Sequence, residues 1–273
     1  MGMYNDFYGL HEAPFNITPD PRFLFFSDRH REAFNHILFG IRERKGFIQV
    51  TGEVGAGKTT VSRAILSELP EDTHTALILN PALTATQLLR AILVELGLKP
   101  RKLDRAQYLE ILNAFLIAQA GDGRDVVLFV DEAQDLDGEL LEQVRLLSNI
   151  ETDQRKLLQI VLIGQPELRQ KLDAPGLRQL RQRITVRYHL DPLSREETGR
   201  YIRHRLRVAG AQDGRPSFTP WAIREIHRYS GGVPRLINAV CDKTLLYGFV
   251  NDQESFQWRH IRRAIRELEG KVA

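Results

Sequence analysis

Residues 52–59 read Gly52-Glu53-Val54-Gly55-Ala56-Gly57-Lys58-Thr59, and this stretch decides the fold. It matches the phosphate-binding pattern G-x-x-x-x-G-K-S/T at every fixed position. An apolar strand pattern over residues 47–51 precedes it, and a helical pattern begins at Lys58. Glycines let the backbone wrap around an anion and direct N–H groups at it, and a helix N-terminus adds its positive dipole end. The sequence therefore predicts a phosphate-binding loop between a buried strand and a helix.

The side chains of this loop indicate how it would hold a nucleotide. Lys58 brings a mobile positive charge to the β- and γ-phosphates, and the Thr59 hydroxyl completes a Mg²⁺ site. We therefore expect ATP and Mg²⁺ as cofactors. The expected nucleotide-binding residues are Gly52, Glu53, Val54, Gly55, Ala56, Gly57, Lys58, Thr59, Thr60 and, from a distant segment, Arg235.

Two carboxylates follow the most apolar strand of the sequence. Residues 126–130 are an unbroken apolar run that ends in Asp131-Glu132. In open parallel sheets, ligands bind beside the carboxyl ends of the strands. We expect Asp131 to hold Mg²⁺ through a water and Glu132 to orient and activate the attacking water. Gln134 can add polar contacts nearby. The alternative, a loop that merely begins with acids, is disfavoured by the phosphate loop upstream.

Two amides at strand ends are further candidates. Asn80 ends the second strand and could hydrogen-bond Glu132, holding it idle; the alternative is turn formation, since Asn-Pro commonly starts a turn. Gln165 follows the fourth strand and could reach the attacking water. Its alternative role is in a turn before a helix that starts at Pro166.

Three arginines are candidates for contacting nucleotide phosphates. Arg181 and Arg183 come just before the last strand, where in a ring or filament they could reach the ATP of the next subunit; a solvated basic helix end is the alternative. Arg235 follows Gly231-Gly232 and Pro234, so it lies in a first helical turn. A cation is unfavourable there, and a γ-phosphate would compensate for it.

The pattern around the loop alternates between strands and helices. Short β-branched runs at 47–51, 76–79, 126–131, 159–163 and 184–188 predict parallel strands buried on both faces. Helical segments between them, at 58–69, 84–96, 105–120, 138–150 and 166–181, favour a doubly wound five-stranded parallel sheet.

The predicted domain organisation has three parts. Residues 1–30 form an extended N-terminal segment with prolines at 14, 19 and 21, residues 31–190 an α/β nucleotide-binding domain, and residues 191–273 a helical lid domain. The lid helices are expected at 194–209, 220–230, 234–250 and 258–269, with no further strands.

Composition excludes several classes of protein. The chain has 273 residues and a single cysteine, Cys241, so it can build neither an internal disulfide framework nor a cysteine-rich metal site, and Cys241 is expected in the core. The histidines lack zinc spacing. The apolar runs are too short to span a bilayer and the N-terminus lacks a signal pattern, so a cytoplasmic location is expected. The formal net charge of +3 and a C-terminal excess of arginine leave an anionic partner open, whether nucleic acid or a lipid surface.

Several stretches of the sequence form a recognisable pattern. They are Tyr4, Phe7-Tyr8-Gly9-Leu10, Pro14-Phe15, Pro19-Asp20-Pro21, Phe23, residues 51–60, Asp131-Glu132-Ala133-Gln134, Gly164-Gln165-Pro166-Glu167, residues 180–184 and residues 231–238. In these stretches the chain resembles the ExeA/GspA ATPases of type II secretion, a group that includes MshM of MSHA pilus assembly and ATPases of exosortase loci. The resemblance covers nearly the whole chain.

This resemblance implies a bacterial AAA+ motor that is oligomeric when active. It implies that Arg183, with Arg181 second, acts as an arginine finger, that Arg235 is a lid sensor, and that the N-terminal segment helps to build the adenine pocket. It also implies assembly of an envelope secretin or pilus, an inner-membrane assembly protein as partner, and a peripheral position at the inner membrane. ExeA-like proteins continue into a transmembrane helix and a peptidoglycan-binding region, whereas the printed sequence ends at Ala273.

Two other functions remain open at this point. A DNA-associated AAA+ protein, of the initiator or transposition-regulator type, would contact phosphates with arginines of the last helix: Arg259, Arg262, Arg263 and Arg266. A solvated helix face, helped by Glu267 and Glu269, is the alternative for these arginines. A nucleotide-dependent switch with negligible turnover is the third reading, and the presence of Glu132 disfavours it.

Overall fold

The computed structural model describes residues 4–16, 20–152, 155–212 and 214–271. Pro19 of the predicted extended segment lies outside these residues. Contacts divide the chain into two compact units. The first unit comprises Met1–Arg29, Glu53–Thr60 and Asp191–Ala273, and the second comprises His30–Gly52 and Val61–Leu190. The phosphate loop and the N-terminal segment therefore group with the C-terminal helices.

The second unit is built on a parallel sheet. Its strands are β1 (Phe47–Gly52), β2 (His74–Ile78), β3 (Val126–Val130), β4 (Gln159–Gly164) and β5 (Ile184–Leu190). They lie in the order β2-β3-β4-β1-β5, and every neighbouring pair is parallel. The predicted five-stranded parallel sheet is confirmed.

Burial along the strands follows their place in the sheet. The inner strands β1, β3 and β4 are buried at every residue, because helices cover both faces of an inner parallel strand. Strand β5 alternates between buried or half-buried and exposed positions. Burial on both faces was expected for all five strands and is wrong for the two edge strands: β5 pairs with β1 alone, and β2, which pairs with β3 alone, is half-buried at three of its five positions.

The helices agree with the predicted segments to within three residues, apart from those named in the next paragraphs. In chain order they are α1 (Asn5–Tyr8), α2 (Asp28–Arg42), α3 (Lys58–Glu68), α4 (Ala85–Glu95), α5 (Arg105–Gly121), α6 (Gly138–Leu147), α7 (Pro166–Leu172), α8 (Arg178–Arg183), α9 (Arg195–Val208), α10 (Pro220–Ser230), α11 (Pro234–Val250) and α12 (Trp258–Leu268). Ser/Thr/Asp side chains cap several of them; Thr84, Asp104 and Ser194 each form a capping box.

The single helix predicted at 166–181 is wrong. The chain instead forms α7, a short 3-10 turn over Pro175–Leu177, and then α8. Pro175 has no N–H to donate and disfavours helical geometry at Ala174, so the helix cannot continue through it. This break allows Arg181 and Arg183 to lie in a separate short helix before β5.

The first unit contains the four predicted lid helices, α9 to α12. It also contains two short strands that the sequence analysis missed, β6 (Ser217–Phe218) and β7 (Ser255–Phe256), which pair in parallel. The lid is therefore not entirely helical. Strands of two residues carry no periodicity by which a sequence pattern could reveal them.

The N-terminal segment contributes to the core of the first unit. It contains α1 and a 3-10 turn over Pro21–Phe23, so it is not extended throughout. Tyr8 and Phe15 are buried in the same cluster as Cys241. Cys241 is fully buried, as expected, and this burial raises the pKa of its thiol.

One buried arginine holds this segment in place. Arg205 of α9 donates from Nε to the Pro14 carbonyl oxygen (2.6 Å) and from a terminal nitrogen to the Asn16 carbonyl oxygen (3.0 Å). Its guanidinium lies 4.4 Å from the centre of the Phe23 ring. Within the described part of the chain, no helix combines the length and the apolar character that crossing a bilayer requires.

Candidate nucleotide-binding site

The phosphate loop leaves β1 and leads into α3. Gly55 and Gly57 have φ angles of +79° and +99°, a conformation that side chains disfavour. The loop is closed by the Ala56 N–H, which donates to the Glu53 carbonyl oxygen at 3.1 Å. Lys58 is buried, and its Nζ donates to the same oxygen, also at 3.1 Å. The predicted strand–loop–helix arrangement is therefore present, with Lys58 at the first position of α3.

Arg235 lies beside this loop. Gly231 ends α10 in the left-handed conformation, Val233 precedes α11, and Pro234 is its first residue. The Arg235 N–H, in the first turn, points towards the Gly55 carbonyl oxygen at 3.4 Å. A Cβ at Gly55 would come within 2.6 Å of the Arg235 Cβ, so only glycine allows this approach. The structure thus brings together two segments that the sequence analysis assigned to nucleotide binding.

The carboxylates that follow β3 occupy a constrained turn. Asp131 is buried, and its Oδ1 accepts a hydrogen bond from the Glu132 N–H at 2.9 Å. Glu132 has φ +50° and ψ +38°, in the left-handed region that non-glycine residues rarely occupy. Such strain is concentrated at functional sites, where the surrounding structure maintains it.

Two glutamines fix the Glu132 carboxylate. Gln134 donates from Nε2 to Glu132 Oε2 at 2.8 Å, and Gln165 donates to the same oxygen at 3.4 Å. Gln134 Oε1 in turn accepts from the Gln165 N–H at 3.0 Å. A Cβ at Gly164 would lie 2.8 Å from Gln134 Oε1, so glycine leaves room for this amide. Gln165 was expected near the attacking water; the central place of Gln134 was not foreseen.

Asn80 does not take the position proposed for it. It is exposed, and its Oδ1 accepts a hydrogen bond from the Ala82 N–H at 3.2 Å. Within residues 20–152, no hydrogen bond connects Asn80 with Glu132. Of the two roles that the sequence left open for Asn80, the structure therefore shows the turn, in which its short side chain is used.

Arg181 and Arg183 have different partners. Arg181 forms an ion pair with Asp173, with an N–O distance of 3.2 Å. Arg183 donates to the Ser148 hydroxyl at 2.8 Å and also to the Asn149 side-chain oxygen. These two partners are neutral, so they position the Arg183 guanidinium without cancelling its charge. This difference favours Arg183 over Arg181 for a role that needs positive charge.

Two side chains identified from the sequence carry oxygens of the kind that Mg²⁺ takes together with a nucleotide. Mg²⁺ is typically held by one or two protein oxygens together with phosphates and water. Thr59 in the first turn of α3 and the buried Asp131 carboxylate supply hard oxygens of this kind. Across the described ranges, no cluster of three or more His, Cys, Asp or Glu side chains could hold a metal ion on its own.

Solved structures share this fold. The ORC2 protein of Aeropyrum pernix, in its ADPNP–ADP complexes, aligns with a TM-score of 0.68 at 17% identity, covering 96% of this chain and 72% of that one. Cdc6p of Pyrobaculum aerophilum aligns with a TM-score of 0.70 at 14% identity, covering 93% and 70%. RuvB of Thermotoga maritima, a Holliday junction branch migration motor, aligns with a TM-score of 0.58 at 18% identity, covering 89% of this chain and 69% of that one. These likenesses show the fold alone.

Sequence comparison assigns the chain to a narrower group than the fold does. A protein-family model described as "AAA domain" matches residues 41–172. Fold and phosphate loop together place the chain among the AAA+ P-loop proteins. Within that class the chain is a homologue of general secretion pathway protein A: it is 49% identical to the Aeromonas hydrophila protein over 269 residues. The match covers 98% of this chain and 49% of that protein, so the chain spans about half the length of this relative. The ExeA/GspA resemblance is confirmed.

Proposed function

We propose that this chain binds Mg-ATP on residues 52–60 and hydrolyses it to ADP and phosphate with Glu132. The observation that carries the proposal is the Glu132 carboxylate, held in a strained turn by Gln134 and Gln165. The phosphate loop continues directly from β1, and β3, which ends at this turn, is two positions away in the same parallel sheet. The carboxyl ends of parallel strands lie along one edge, where ligands bind.

The proposed roles follow from the chemistry of each side chain. Lys58 neutralises charge on the β- and γ-phosphates, and Thr59 and Asp131 hold the metal ion. Glu132 accepts a proton from the water whose oxygen bonds to the γ-phosphorus, while the bond from this phosphorus to the bridging oxygen breaks. Arg235 contacts the γ-phosphate from the first turn of α11. When bound, Mg²⁺ would neutralise part of the negative charge that develops on the leaving ADP.

The active form is proposed to be a ring or filament. Arg183, with Arg181 as the second candidate, would contact the ATP of the next subunit and stabilise the charge of the transition state. The direct hydrogen-bond partners of Arg183, Ser148 and Asn149, are neutral, whereas Arg181 is paired with Asp173, and this difference supports Arg183 as the finger.

The proposed biological role is to drive the assembly of a bacterial secretion or pilus system. Its support is the homology to general secretion pathway protein A over nearly the whole chain. The proposed partner is an inner-membrane assembly protein, reached from the cytoplasmic side.

The test is ATP turnover measured against protein concentration for the native chain and for Glu132→Gln and Arg183→Ala. We expect turnover per subunit to rise with concentration and to fall at least about a hundredfold in both variants, with ATP binding retained in Glu132→Gln. Chelation of Mg²⁺ should abolish turnover. Matched controls are Glu139→Gln and Arg178→Ala, exposed residues of α6 and α8.

Three results bear on parts of this proposal. Flat turnover per subunit with an active Arg183→Ala variant would remove the arginine finger. ATP binding without turnover at any concentration would contradict hydrolysis by the chain alone, and it would not separate a nucleotide-dependent switch from a motor whose turnover needs its partner. Affinity for duplex DNA with a steep salt dependence would instead favour the DNA-associated alternative.

A further inference from the structure

Helices α10 and α12 pack side by side and leave a concavity of about 410 Å³ between them. Its lining residues are Trp221, Arg224, Glu225, Arg228, Trp258 and Arg262. The two tryptophans are the only ones in the chain, and they are 64% and 47% exposed. Large aromatic side chains are costly to leave in water, and exposed patches of this kind mark interaction sites. We call this concavity the Trp–Arg groove.

A buried carboxylate arranges the base of the groove. Glu225 is 8% exposed and binds both Arg228 and Arg262 through Oε1. The bond from Arg262 uses Nε at 2.7 Å, so both terminal nitrogens keep their donors for another acceptor. One negative charge therefore fixes two guanidinium groups and leaves a net positive charge.

The tryptophans are stacked against arginines. The guanidinium carbon of Arg262 lies 4.7 Å from the Trp258 ring centre, and that of Arg224 lies 5.6 Å from the Trp221 ring centre. A guanidinium that stacks on a ring keeps its N–H donors in its own plane, where they can bind a carboxylate bidentately. A nucleobase that stacked on these ring faces would have to displace the arginine.

The surrounding surface is predominantly positive. The sequences of α10 and α12 contain six arginines, at 224, 228, 259, 262, 263 and 266, and two glutamates, at 225 and 267. Within residues 214–271, the ion pairs of these two helices leave Arg224, Arg259 and Arg266 without a carboxylate. Arg259 and Arg263 line a separate concavity with Tyr247, so the four arginines of α12 do not form one face.

We propose that the Trp–Arg groove binds an acidic peptide segment of a partner protein, in which an apolar side chain between carboxylates contacts the tryptophans. Carboxylates match the planar donors of the stacked arginines, and an apolar residue covers the exposed indole edges. The arginines of α12 are divided between separate concavities, so they do not form the continuous basic face that a DNA duplex or an anionic bilayer would contact. None of the residues that line the groove is assigned to ATP hydrolysis, so this proposal does not depend on turnover.

Binding in the groove can be followed by intrinsic tryptophan fluorescence, because both tryptophans of the chain line the groove. The probe is a short peptide of repeated Glu-Glu-Leu, titrated without nucleotide, with a Gln-Gln-Leu peptide as control. We expect saturable fluorescence change with the acidic peptide only. Arg224→Glu should weaken binding at least about tenfold, and added salt should weaken it too. The matched control is Arg90→Glu, a charge reversal at an exposed position of α4.

Three outcomes would overturn the proposal. The first is equal binding of the Glu-Glu-Leu and Gln-Gln-Leu peptides. The second is acidic-peptide binding that Arg224→Glu and Arg90→Glu weaken equally, which would indicate net charge rather than a site. The third is tighter binding of oligothymidine or of phosphatidylglycerol vesicles than of the acidic peptide, which would assign the groove to single-stranded nucleic acid or to a membrane.

Discussion

At the scale of single residues, Gly55 connects the phosphate loop with the start of α11. Gly55→Ala would combine an unfavourable positive φ with a Cβ 2.6 Å from the Arg235 Cβ. We expect ATP binding to weaken at least about tenfold and the free energy of unfolding to fall by roughly 3 kcal/mol, because both backbone strain and overpacking contribute. Nucleotide titration and denaturant unfolding measure the two effects.

Gly97 provides the matched control for this substitution. Its φ is +81°, and a Cβ there would meet no atom within 4 Å. Gly97→Ala should therefore cost only the backbone term, about 1 kcal/mol, and leave ATP binding unchanged. Equal effects of the two substitutions would show that the close approach of Arg235 to the loop contributes neither to stability nor to ATP binding.

At the scale of secondary-structure elements, Glu225 connects α10 with α12. Glu225→Gln removes the charge that two arginines share, and we expect unfolding free energy to fall by about 1–2 kcal/mol. This estimate is modest because Arg228 and Arg262 are 66% and 46% exposed, so solvent screens both pairs. Denaturant unfolding is the measurement.

An exposed ion pair in the same unit serves as the control for Glu225. Glu254 pairs with Arg215 at 2.9 Å, and the two side chains are 41% and 71% exposed. Glu254→Gln should change the unfolding free energy by less than about 0.5 kcal/mol. If both substitutions cost the same, Glu225 does not hold the two helices together.

The elements that the sequence predicted share strong local signals. The strands β1, β3 and β4 are apolar at consecutive positions because both faces are buried, and the helices have caps or glycine stops. Pro175 could have predicted the break between α7 and α8, since proline disfavours helix at and before its position. The strands β6 and β7 offered no comparable signal.

The arrangement around Glu132 lay largely beyond prediction. The sequence identified Asp131, Glu132 and Gln165 by their position at strand ends, because parallel strands end along one edge of a sheet. Neither the left-handed backbone of Glu132 nor the amide bridge through Gln134 follows from sequence spacing, since both depend on how β3 and β4 place their loops. The same reasoning left Asn80 open between a turn and a contact with Glu132, because its local turn chemistry competes with a longer-range contact.

At the scale of the whole molecule, three histidines of the first unit make stability depend on pH. Burial lowers the pKa of His204, His227 and His260 below the ordinary value of 6.5, and neighbouring arginines lower it further. The folded state therefore binds fewer protons than the unfolded state as pH falls through 6.5. We expect stability to be full above this pH and to decrease below it, as measured by urea unfolding across the range.

A single substitution separates this effect from general acid sensitivity. His227 contacts the Thr198 hydroxyl at 3.1 Å within the first unit. His227→Gln should reduce the slope of stability against pH below 6.5. An unaltered slope in His227→Gln would assign the acid sensitivity to other groups.

Residues 1–29 and 191–273 belong to the same compact unit, and this has a consequence for biosynthesis. The Tyr8 hydroxyl donates to the Leu245 carbonyl oxygen across 237 residues of sequence, and Phe7 meets Phe249 edge to face. A ribosome adding about 5–20 residues per second needs roughly ten to fifty seconds to cover that separation. Until Leu245 and Phe249 are made, Tyr8 and Phe7 lack these partners, whereas β5, the last strand of the sheet, is complete once residue 190 has been added. The order of synthesis therefore leaves the first residues of the chain among the last to fold.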